Sequence, residues 1–434
     1  RIPRGFLAAG RSAGIKRSGR PDLALVVTTD GPAAAAAVFT PNRFAAAPVR
    51  LSREVLAASS GWVRAVVSSS GCANAATGPD GDADQRRVGE LVAATLGISD
   101  EQVLHFSTGI IGTRLPLDRI AAGLEAIAPE LAASDAGLEA AASALRTTDT
   151  TTKVATVLID LPRAPGAPGD AGATVPVRVT GIAKGVGMIH PNMATMLSLV
   201  LTDATADPAL LASILRPVAA RTWNQLSVDG DTSTNDTVFL LASGAAGGAP
   251  VIAGTPAGSA LAAAVEAVAR DLARQQAADG EGATCLLTCR VRGGADDADA
   301  RAVARAVISS SLVKAAAHGK DPNWGRIAGA AGNARVAVAT VLEAAGFSPT
   351  DAAARAGSQA SLDPDLLRIW IAGHLVFDGP AGGPQSFDRT AARADLDAPE
   401  ILIELELGLG AGTGEAFGCD LTETYVRENS EYTT

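Results

Sequence analysis

GIAKGVGMIHPNMATML, from Gly181 to Leu197, is the stretch around which the chain is organised. Its three glycines allow backbone conformations that other residues avoid, and Pro191 disfavours helix in the residue before it. Lys184 stands among these glycines, and Met193-Ala194-Thr195 then opens an apolar run. The pattern predicts a loop that leads into a strand and places the hydroxyl of Thr195 beside the carbonyl of Ala194.

This arrangement permits the chain to cut itself. If the loop strains the Ala194-Thr195 peptide, the Thr195 oxygen can attack the Ala194 carbonyl and form an ester, which water then releases. Thr195 would begin a new chain and carry both a hydroxyl and a free α-amino group. Because such an amine has an unperturbed pKa of about 7.7–8.0, it can serve as general base for its own hydroxyl. The alternative is a threonine that only begins a strand, and the residues alone favour that alternative.

Composition and charge exclude several classes of function. The chain has 434 residues and a formal net charge of −10 without a Lys/Arg-rich tract, which argues against nucleic-acid binding. No uncharged apolar run reaches the roughly 18 residues that a membrane span needs. The first residues, RIPRGFLAAG, lack the apolar segment of a signal peptide, so a cytoplasmic location with four reduced cysteines is predicted.

Two short motifs invite interpretation as metal sites. Cys285 and Cys289 have a suitable spacing, but no second pair or histidine cluster completes them, so core packing on one face of a strand is predicted. The loop 229–237, DGDTSTNDT, has oxygen ligands at alternate positions but lacks the final carboxylate of a calcium loop. We expect instead a polar loop that lines the site, with Asn235 and Asp236 fixing their neighbours. No metal or cofactor is predicted.

Short apolar runs alternate with alanine-rich helical stretches, which predicts an α/β fold of layered sheets and helices. Leu23–Thr28 and Ala34–Thr40 are predicted to pair as strands around a turn at residues 30–32. Ala302–Ala317 is predicted to form one amphipathic helix.

Three further polar motifs each admit two interpretations. STGIIG at residues 107–112 puts a Thr-Gly pair after a strand, which suits either an oxyanion hole or an ordinary turn. TTDTTTK at 147–153 could bind an amino-acid head group or form a β-edge. Glu281 lies between two glycines, where its carboxylate is either presented to a ligand or solvated at the end of a helix.

Residues 184–197, KGVGMIHPNMATML, closely resemble the self-cleavage signature of the ornithine acetyltransferases, the bifunctional glutamate N-acetyltransferase/amino-acid N-acetyltransferase family of arginine biosynthesis. STGIIG, TTDTTTK, DGDTSTNDT, DGEGAT and DPNWGR also look like blocks of this family and follow in its order. The resemblance runs from the beginning of the chain to its end. It implies an αββα sandwich. It also implies a nucleophile at a newly formed N-terminus, as in N-terminal-nucleophile enzymes.

The resemblance also implies a reaction and its residues. The chain would be cut between Ala194 and Thr195 into fragments 1–194 and 195–434, which associate as a dimer of cleaved pairs, a heterotetramer. Thr195 would carry acetyl from N2-acetyl-L-ornithine to L-glutamate while Thr108 and Gly109 stabilise the oxyanion, and acetyl-CoA is a second donor in part of the family. The implied substrate contacts are one of Thr147 and Thr148, then Lys184, Thr195, Glu281, Asn429 and Thr434.

Two other functions remain compatible with the residues. An N-terminal-nucleophile amidase or aminopeptidase would use the same threonine but let water accept the acyl group. A non-enzymatic binding module would keep the Ala194-Thr195 bond intact. A role for Asn429 and Thr434 at the substrate also requires that the C-terminal tail be tied down.

Overall fold

The computed structural model describes residues 1–164, 172–190 and 196–431. The described residues form two compact units. The first unit contains residues 196–218 and 233–272 together with the described part of 1–185. The second contains residues 186–190, 219–232 and 273–431.

Strands and helices alternate through most of the described chain. The strands are β1 (Phe6–Arg11), β2 (Leu23–Thr28), β3 (Ala33–Phe39), β4 (Trp62–Val63), β5 (Ala65–Cys72), β6 (Val103–Ile110), β7 (Lys153–Pro162), β8 (Thr174–Lys184), β9 (Leu197–Thr202), β10 (Leu226–Ser227), β11 (Thr237–Ala242), β12 (Leu286–Gly294), β13 (Arg368–Ile371), β14 (His374–Asp378), β15 (Gly383–Pro384), β16 (Glu400–Glu406) and β17 (Gly412–Cys419).

The helices are α1 (Ala47–Ala58), α2 (Gly78–Leu96), α3 (Leu117–Ile127), α4 (Asp135–Leu145), α5 (Pro208–Arg221), α6 (Pro256–Ala278), α7 (Asp297–Ser309), α8 (Ser311–His318), α9 (Trp324–Gly332), α10 (Ala339–Ala344), α11 (Pro349–Arg355), α12 (Arg389–Asp395) and α13 (Glu423–Ser430). Within the described ranges, none of them combines the length and the hydropathy that spanning a bilayer requires. The predicted α/β fold class is confirmed.

The first unit is a sandwich of four layers. Its sheets have the strand orders β1-β2-β5-β6 and β4-β3-β11-β9-β8-β7. Their inner faces meet in one apolar cluster, where Phe106 stacks on Phe239 with ring centroids 4.5 Å apart. Helices α2 and α3 cover the outer face of the four-stranded sheet. Helix α6 covers that of the six-stranded sheet, where a Cβ added to Gly181 would lie 2.8 Å from Val268. This unit therefore has the αββα arrangement that the sequence implied.

The strands β2 and β3 follow each other in sequence but do not pair. Strand β2 pairs with β1 and β5, whereas β3 pairs with β4 and β11 in the other sheet. The predicted hairpin is therefore wrong. All six residues of β2 are buried, and such a strand needs partners on both of its edges and cover on both faces. The turn after β2 takes the chain from one sheet to the next.

The second unit contains a seven-stranded mixed sheet of order β10-β17-β12-β16-β13-β14-β15, and α7 packs against β12 and β17. The single helix predicted over residues 302–317 is wrong, because α7 ends at Ser309 and α8 begins at Ser311. Ser310 separates them: its hydroxyl accepts a hydrogen bond from the Val313 N–H and so caps α8. A serine hydroxyl competes with helical hydrogen bonding, and apolar periodicity does not detect this.

Cys285 and Cys289 both lie in the apolar cluster of the second unit, which confirms the prediction of core packing. All four cysteines of the chain are free thiols and buried. Burial, together with the charge of Asp420, raises the pKa of the Cys285 thiol to about 11, so this thiol stays protonated at neutral pH.

Candidate active site

The predicted site residues fall into three sets. Ala194, Thr195 and Thr434 lie outside the described residues. In the first unit the structure places Thr108, Gly109, Thr147, Thr148 and Lys184, and in the second unit Glu281 and Asn429.

A bulge between β5 and β6 shapes the predicted oxyanion hole. The pairing of the two strands becomes irregular at Gly71 and Cys72, opposite Thr108 and Gly109. Gly109 has φ +131°, and a Cβ at this position would lie 2.3 Å from the Gly71 carbonyl carbon. Only glycine fits such a position. The lack of a side chain brings the backbones together and fixes Thr108, which is 9% exposed.

Asn235 holds the strand that carries Thr108. Its side-chain amide donates to the carbonyl oxygens of Ser107 at 2.7 Å and Ala73 at 2.6 Å. The prediction that Asn235 fixes its neighbours is therefore confirmed. Because both carbonyls are buried with the amide, the segment just before Thr108 has a defined position.

Lys184 contacts the hydroxyl of Thr108. It is the last residue of β8, is 8% exposed, and its Nζ lies 3.2 Å from Thr108 Oγ1. A lysine ammonium can only donate hydrogen bonds, so the threonine oxygen is the acceptor in this contact. The hydroxyl hydrogen is then directed elsewhere, as an oxyanion donor requires.

Asp149 is a buried residue to which the sequence analysis gave no role. Its Oδ1 accepts hydrogen bonds from Lys153 Nζ and from the Gly185 N–H, both at 2.8 Å, and its Oδ2 accepts the Thr147 N–H at 3.0 Å. Burial would raise the pKa of Asp149, but the charges of Lys184 and Lys153 and these hydrogen bonds hold the pKa well below its ordinary value. The carboxylate is therefore ionised. A lysine four residues after an aspartate in TTDTTTK was the available signal.

Thr147 and Thr148 lie half-buried in the loop between α4 and β7. The carbonyl of Thr147 accepts a hydrogen bond from Arg20 at 2.9 Å, and its N–H is bound by Asp149. Both main-chain groups of Thr147 are thus fixed. Which of the two threonines contacts a substrate stays a prediction.

A third lysine lies in the same electrostatic environment. Lys16 Nζ donates to the carbonyl oxygens of Pro21 and Arg146, each at 2.6 Å. Burial and the neighbouring charges of Arg20 and Lys184 lower its pKa to about 8, against an opposing effect of Asp22 and Asp149. Lys16, Lys153 and Lys184, together with the Asp149 carboxylate, are called the lysine group below.

In the second unit, Glu281 is 8% exposed and follows α6. Its N–H donates to the carbonyl of Val186 at 2.9 Å. A Cβ added to Gly187 would lie 2.2 Å from Glu281 Oε2, so the carboxylate packs directly against the Gly187 backbone. Asn429 Nδ2 donates to the same Oε2 at 2.8 Å. The structure thus brings two predicted substrate contacts together.

The C-terminal helix α13 is bound at several points. Thr422 Oγ1 donates to the carbonyl of Gly282 at 2.8 Å, and the Tyr425 hydroxyl donates to Asp229 Oδ2 at 3.2 Å. Burial and the charges of Asp229, Glu281 and Asp231 raise the pKa of Tyr425 above its ordinary value. The required attachment of the tail is therefore present as far as this helix. Asp229 and Glu281, with Tyr425 and Asn429, are called the carboxylate group below.

Asp229 also holds the segment that precedes the predicted cleavage position. It accepts the N–H groups of Met188 at 2.6 Å and Ile189 at 2.9 Å. His190 is held next to them, with Nδ1 2.9 Å from Ser227 Oγ. Burial and the charges of Arg305 and Lys314 lower the pKa of His190 to about 3, so its ring is neutral. The motif 229–237 thus contributes a positioning carboxylate that sequence reasoning missed.

Within the described part of the chain, histidine, cysteine, aspartate and glutamate residues form no group of three or more that could hold a metal ion. The candidate residues described above carry hydroxyl, ammonium, carboxylate and amide groups.

A family model described as the ArgJ family matches residues 7–434. The chain belongs to the ArgJ family. Two curated relatives are named arginine biosynthesis bifunctional protein ArgJ. The one from Thermus thermophilus is 45% identical over 434 residues and covers 100% of this chain and 99% of its own. The one from Synechococcus sp. is 46% identical over 433 residues, with coverage of 100% and 96%.

Two solved structures of related proteins are also similar. The ArgJ protein from Bacillus halodurans is 37% identical with a TM-score of 0.47 and covers 54% of this chain and 99% of that one. The ornithine acetyltransferase from Mycobacterium tuberculosis, solved with ornithine, is 38% identical with a TM-score of 0.37 and covers 44% and 92%. Membership of the ArgJ family confirms the resemblance found in the sequence and the prediction of an acetyltransferase of arginine biosynthesis.

Proposed function

We propose that the chain transfers the acetyl group of N2-acetyl-L-ornithine to L-glutamate through an acetyl ester on Thr195. The observation that carries this proposal in the structure is the contact of Lys184 with Thr108 beside Gly109. It makes the Thr108 oxygen an acceptor from lysine and leaves the hydroxyl hydrogen to donate elsewhere; in this proposal that hydrogen and the Gly109 N–H bind the charge that develops on a carbonyl oxygen. Acyl transfer is the chemistry that uses such donors.

The reaction begins with cleavage of the Ala194-Thr195 bond, which gives fragments 1–194 and 195–434. The α-amine of Thr195 takes the proton of its own hydroxyl, and the oxygen attacks the acetyl carbonyl carbon. Thr108 and Gly109 stabilise the oxyanion, and the bond to nitrogen breaks as ornithine leaves with a proton. The amine of glutamate then attacks the acetyl-threonine ester, and N-acetylglutamate is released with a free Thr195.

The charges of the two described groups suit an amino-acid substrate. Lys184, with Thr147 or Thr148, is proposed to bind a substrate carboxylate. Glu281 and Asn429, together with Thr434, are proposed to bind the part that carries an amine. Opposite charges in each contact favour binding and orientation.

Three finer properties belong to the same proposal. Acetyl-CoA would serve as a second donor for glutamate, as the word bifunctional in the relatives' names suggests. The two fragments would stay associated as a dimer of cleaved pairs. The enzyme would act in the cytoplasm, on small molecules alone.

Intact-mass analysis after incubation with N2-acetylornithine tests the proposal. We expect two fragments divided between Ala194 and Thr195, with one added acetyl group on the fragment that begins at Thr195. Thr195→Ala should give one uncut, inactive chain, because both the ester and the new amine depend on this residue. Two fragments from that variant would contradict the scheme.

A second measurement distinguishes transfer from hydrolysis. Ornithine release should depend on glutamate, with N-acetylglutamate formed in equal amount. Release at the same rate without glutamate would show that water accepts the acetyl group. The enzyme would then be an amidase that uses the same threonine.

A further inference from the structure

One buried carboxylate connects three parts of the first unit. Asp149 is 1% exposed and binds Lys153, the N–H of Thr147 and the N–H of Gly185. Thr147 precedes it in the same loop, whereas Gly185 follows β8 in another part of the chain. The carboxylate therefore fixes the distance between the 147–153 loop and the end of β8.

The position of Gly185 determines the position of Lys184. The Gly185 N–H is bound at 2.8 Å, and Gly185 has φ +128°, a conformation that glycine adopts freely. Lys184 is the preceding residue, and its ammonium reaches Thr108. The charge of Asp149 also attracts that ammonium, since the two groups interact strongly enough to affect the ionisation of Asp149.

Stability alone does not explain this arrangement. Both charges of the Asp149–Lys153 pair are buried, and desolvation commonly cancels the attraction within such pairs. Apolar or neutral residues of similar size often replace a buried pair without loss of stability. The Asp149 carboxylate, in contrast, makes two backbone contacts beside residues that are proposed to act in the reaction.

We propose that Asp149 is a positioning residue, which holds Lys184 against Thr108 so that the Thr108 hydroxyl is oriented as the oxyanion donor. This inference rests on the proposed acetyl transfer. The effect of Asp149 is exerted through Lys184 and Thr108, and it belongs to the transition state, in which the oxyanion forms. Loss of Asp149 therefore lowers kcat more than it changes KM.

The variant Asp149→Asn/Lys153→Met tests the inference because it removes both buried charges together. Asp149→Asn alone leaves Lys153 buried without a counterion, which is destabilising. We expect the double variant to unfold near the wild-type temperature and to acetylate Thr195 about 10- to 100-fold more slowly at saturating N2-acetylornithine, as misplacement of a reacting group by about 1 Å can cause. Rates are given per cleaved chain, counted by intact mass.

Two comparisons separate positioning from a general structural effect. Asp203→Asn is the matched control, since Asp203 is also buried in the first unit and binds a backbone N–H, that of Arg178 at 2.7 Å. This control should keep the wild-type kcat. Thr108→Ala should cost less than tenfold in the double-variant background, against about 10²–10³ in the wild type, because the two changes remove one effect.

Each other outcome overturns the inference. Wild-type kcat in the double variant would mean that the buried pair serves stability, and a full Thr108→Ala effect in that background would mean that Asp149 does not act through Thr108. If the double variant unfolds at the wild-type temperature but does not cleave itself, Asp149 acts in chain cleavage and not in acetyl transfer. If neither the double variant nor Asp149→Asn folds, Asp149 is a structural residue. An inactive wild-type enzyme measured in parallel would instead refute the acetyl transfer itself.

Discussion

The lysine group and the carboxylate group bind their carboxylates in different ways. In the lysine group, the ion pair of Asp149 and Lys153 is wholly buried, and the charges of Lys184 and Lys153 lower the pKa of the Asp149 carboxyl. In the carboxylate group, Asp229 and Glu281 bind neutral donors, the Tyr425 hydroxyl and the Asn429 amide. The first group thus combines buried lysines with a carboxylate, whereas the second pairs carboxylates with uncharged donors.

The largest effect is expected at Thr108, the proposed oxyanion donor that Lys184 contacts. Thr108→Ala should lower kcat by about 10²–10³, because an oxyanion donor is lost. Thr108→Ser should retain most of the activity, since it keeps the hydroxyl. Thr113→Ala is the control: Thr113 is exposed, and its hydroxyl donates to the Ile110 carbonyl at 3.1 Å. Steady-state kinetics per cleaved chain provide the measurement, and an unchanged kcat in Thr108→Ala would remove the lysine group from the reaction.

A smaller effect is expected at Glu281 and should depend on the substrate. Glu281→Gln should lower kcat/KM for N2-acetylornithine by about 10- to 100-fold, as loss of a hydrogen bond to a charged group costs about 1.5–3 kcal/mol. N-acetylnorvaline lacks the side-chain ammonium of the natural donor, so the substitution should have little effect with it. Glu423→Gln, at an exposed position in the same tail helix, is the control. Equal losses with both donors would contradict the assignment of Glu281 to the amine.

The smallest effect concerns the pH dependence of the free energy of unfolding. One histidine in each unit contributes to this dependence. Burial lowers the pKa of His105 to about 3, and burial with neighbouring charges lowers that of His190 equally. Unfolded histidine has a pKa of about 6.5, so below this pH the unfolded chain binds protons that the folded chain does not. The free energy of unfolding should therefore fall as the pH falls from 6.5 to 5.5, by about 1 kcal/mol for each ring.

Urea unfolding at several pH values measures this dependence. His105→Gln should remove about half of it, since Gln85 donates to the unprotonated Nδ1 of His105 at 3.0 Å and burial alone lowers the pKa of this ring. His374→Gln is the control, because that half-buried ring binds Asp395. An unchanged slope in His105→Gln would contradict this assignment and leave other titrating groups, such as the carboxylates, as its source.

Two features were predicted without knowledge of their partners. The glycine after Thr108 indicated a close backbone approach from its residue type alone, and the structure has that approach at Gly71. The family resemblance required a fixed C-terminal tail, and Tyr425 and Asn429 fix it. The catalytic role of Thr195 and the substrate contacts stay predictions.

Contacts of a particular residue with a distant partner could not be predicted from the sequence. The role of Asp149 depends on Gly185, which is 36 residues away in sequence, and no local pattern indicates that contact. The hairpin prediction failed at β2 and β3 because the partners of a fully buried strand are selected by the whole sheet. Ser310 ended a helix within a continuous apolar period, since a single cap outweighs the pattern around it.

The contact between Lys184 and Thr108 joins residues of two different sheets, because Lys184 ends β8 and Thr108 lies on β6. Phe106, two residues before Thr108, stacks on Phe239 of the opposite sheet. The thickness of the aromatic core thus sets how far the ammonium must reach to touch the hydroxyl. Under the proposed function, a substitution that changes the volume of these interior rings would shift the ammonium relative to the hydroxyl and so alter turnover without touching a substrate.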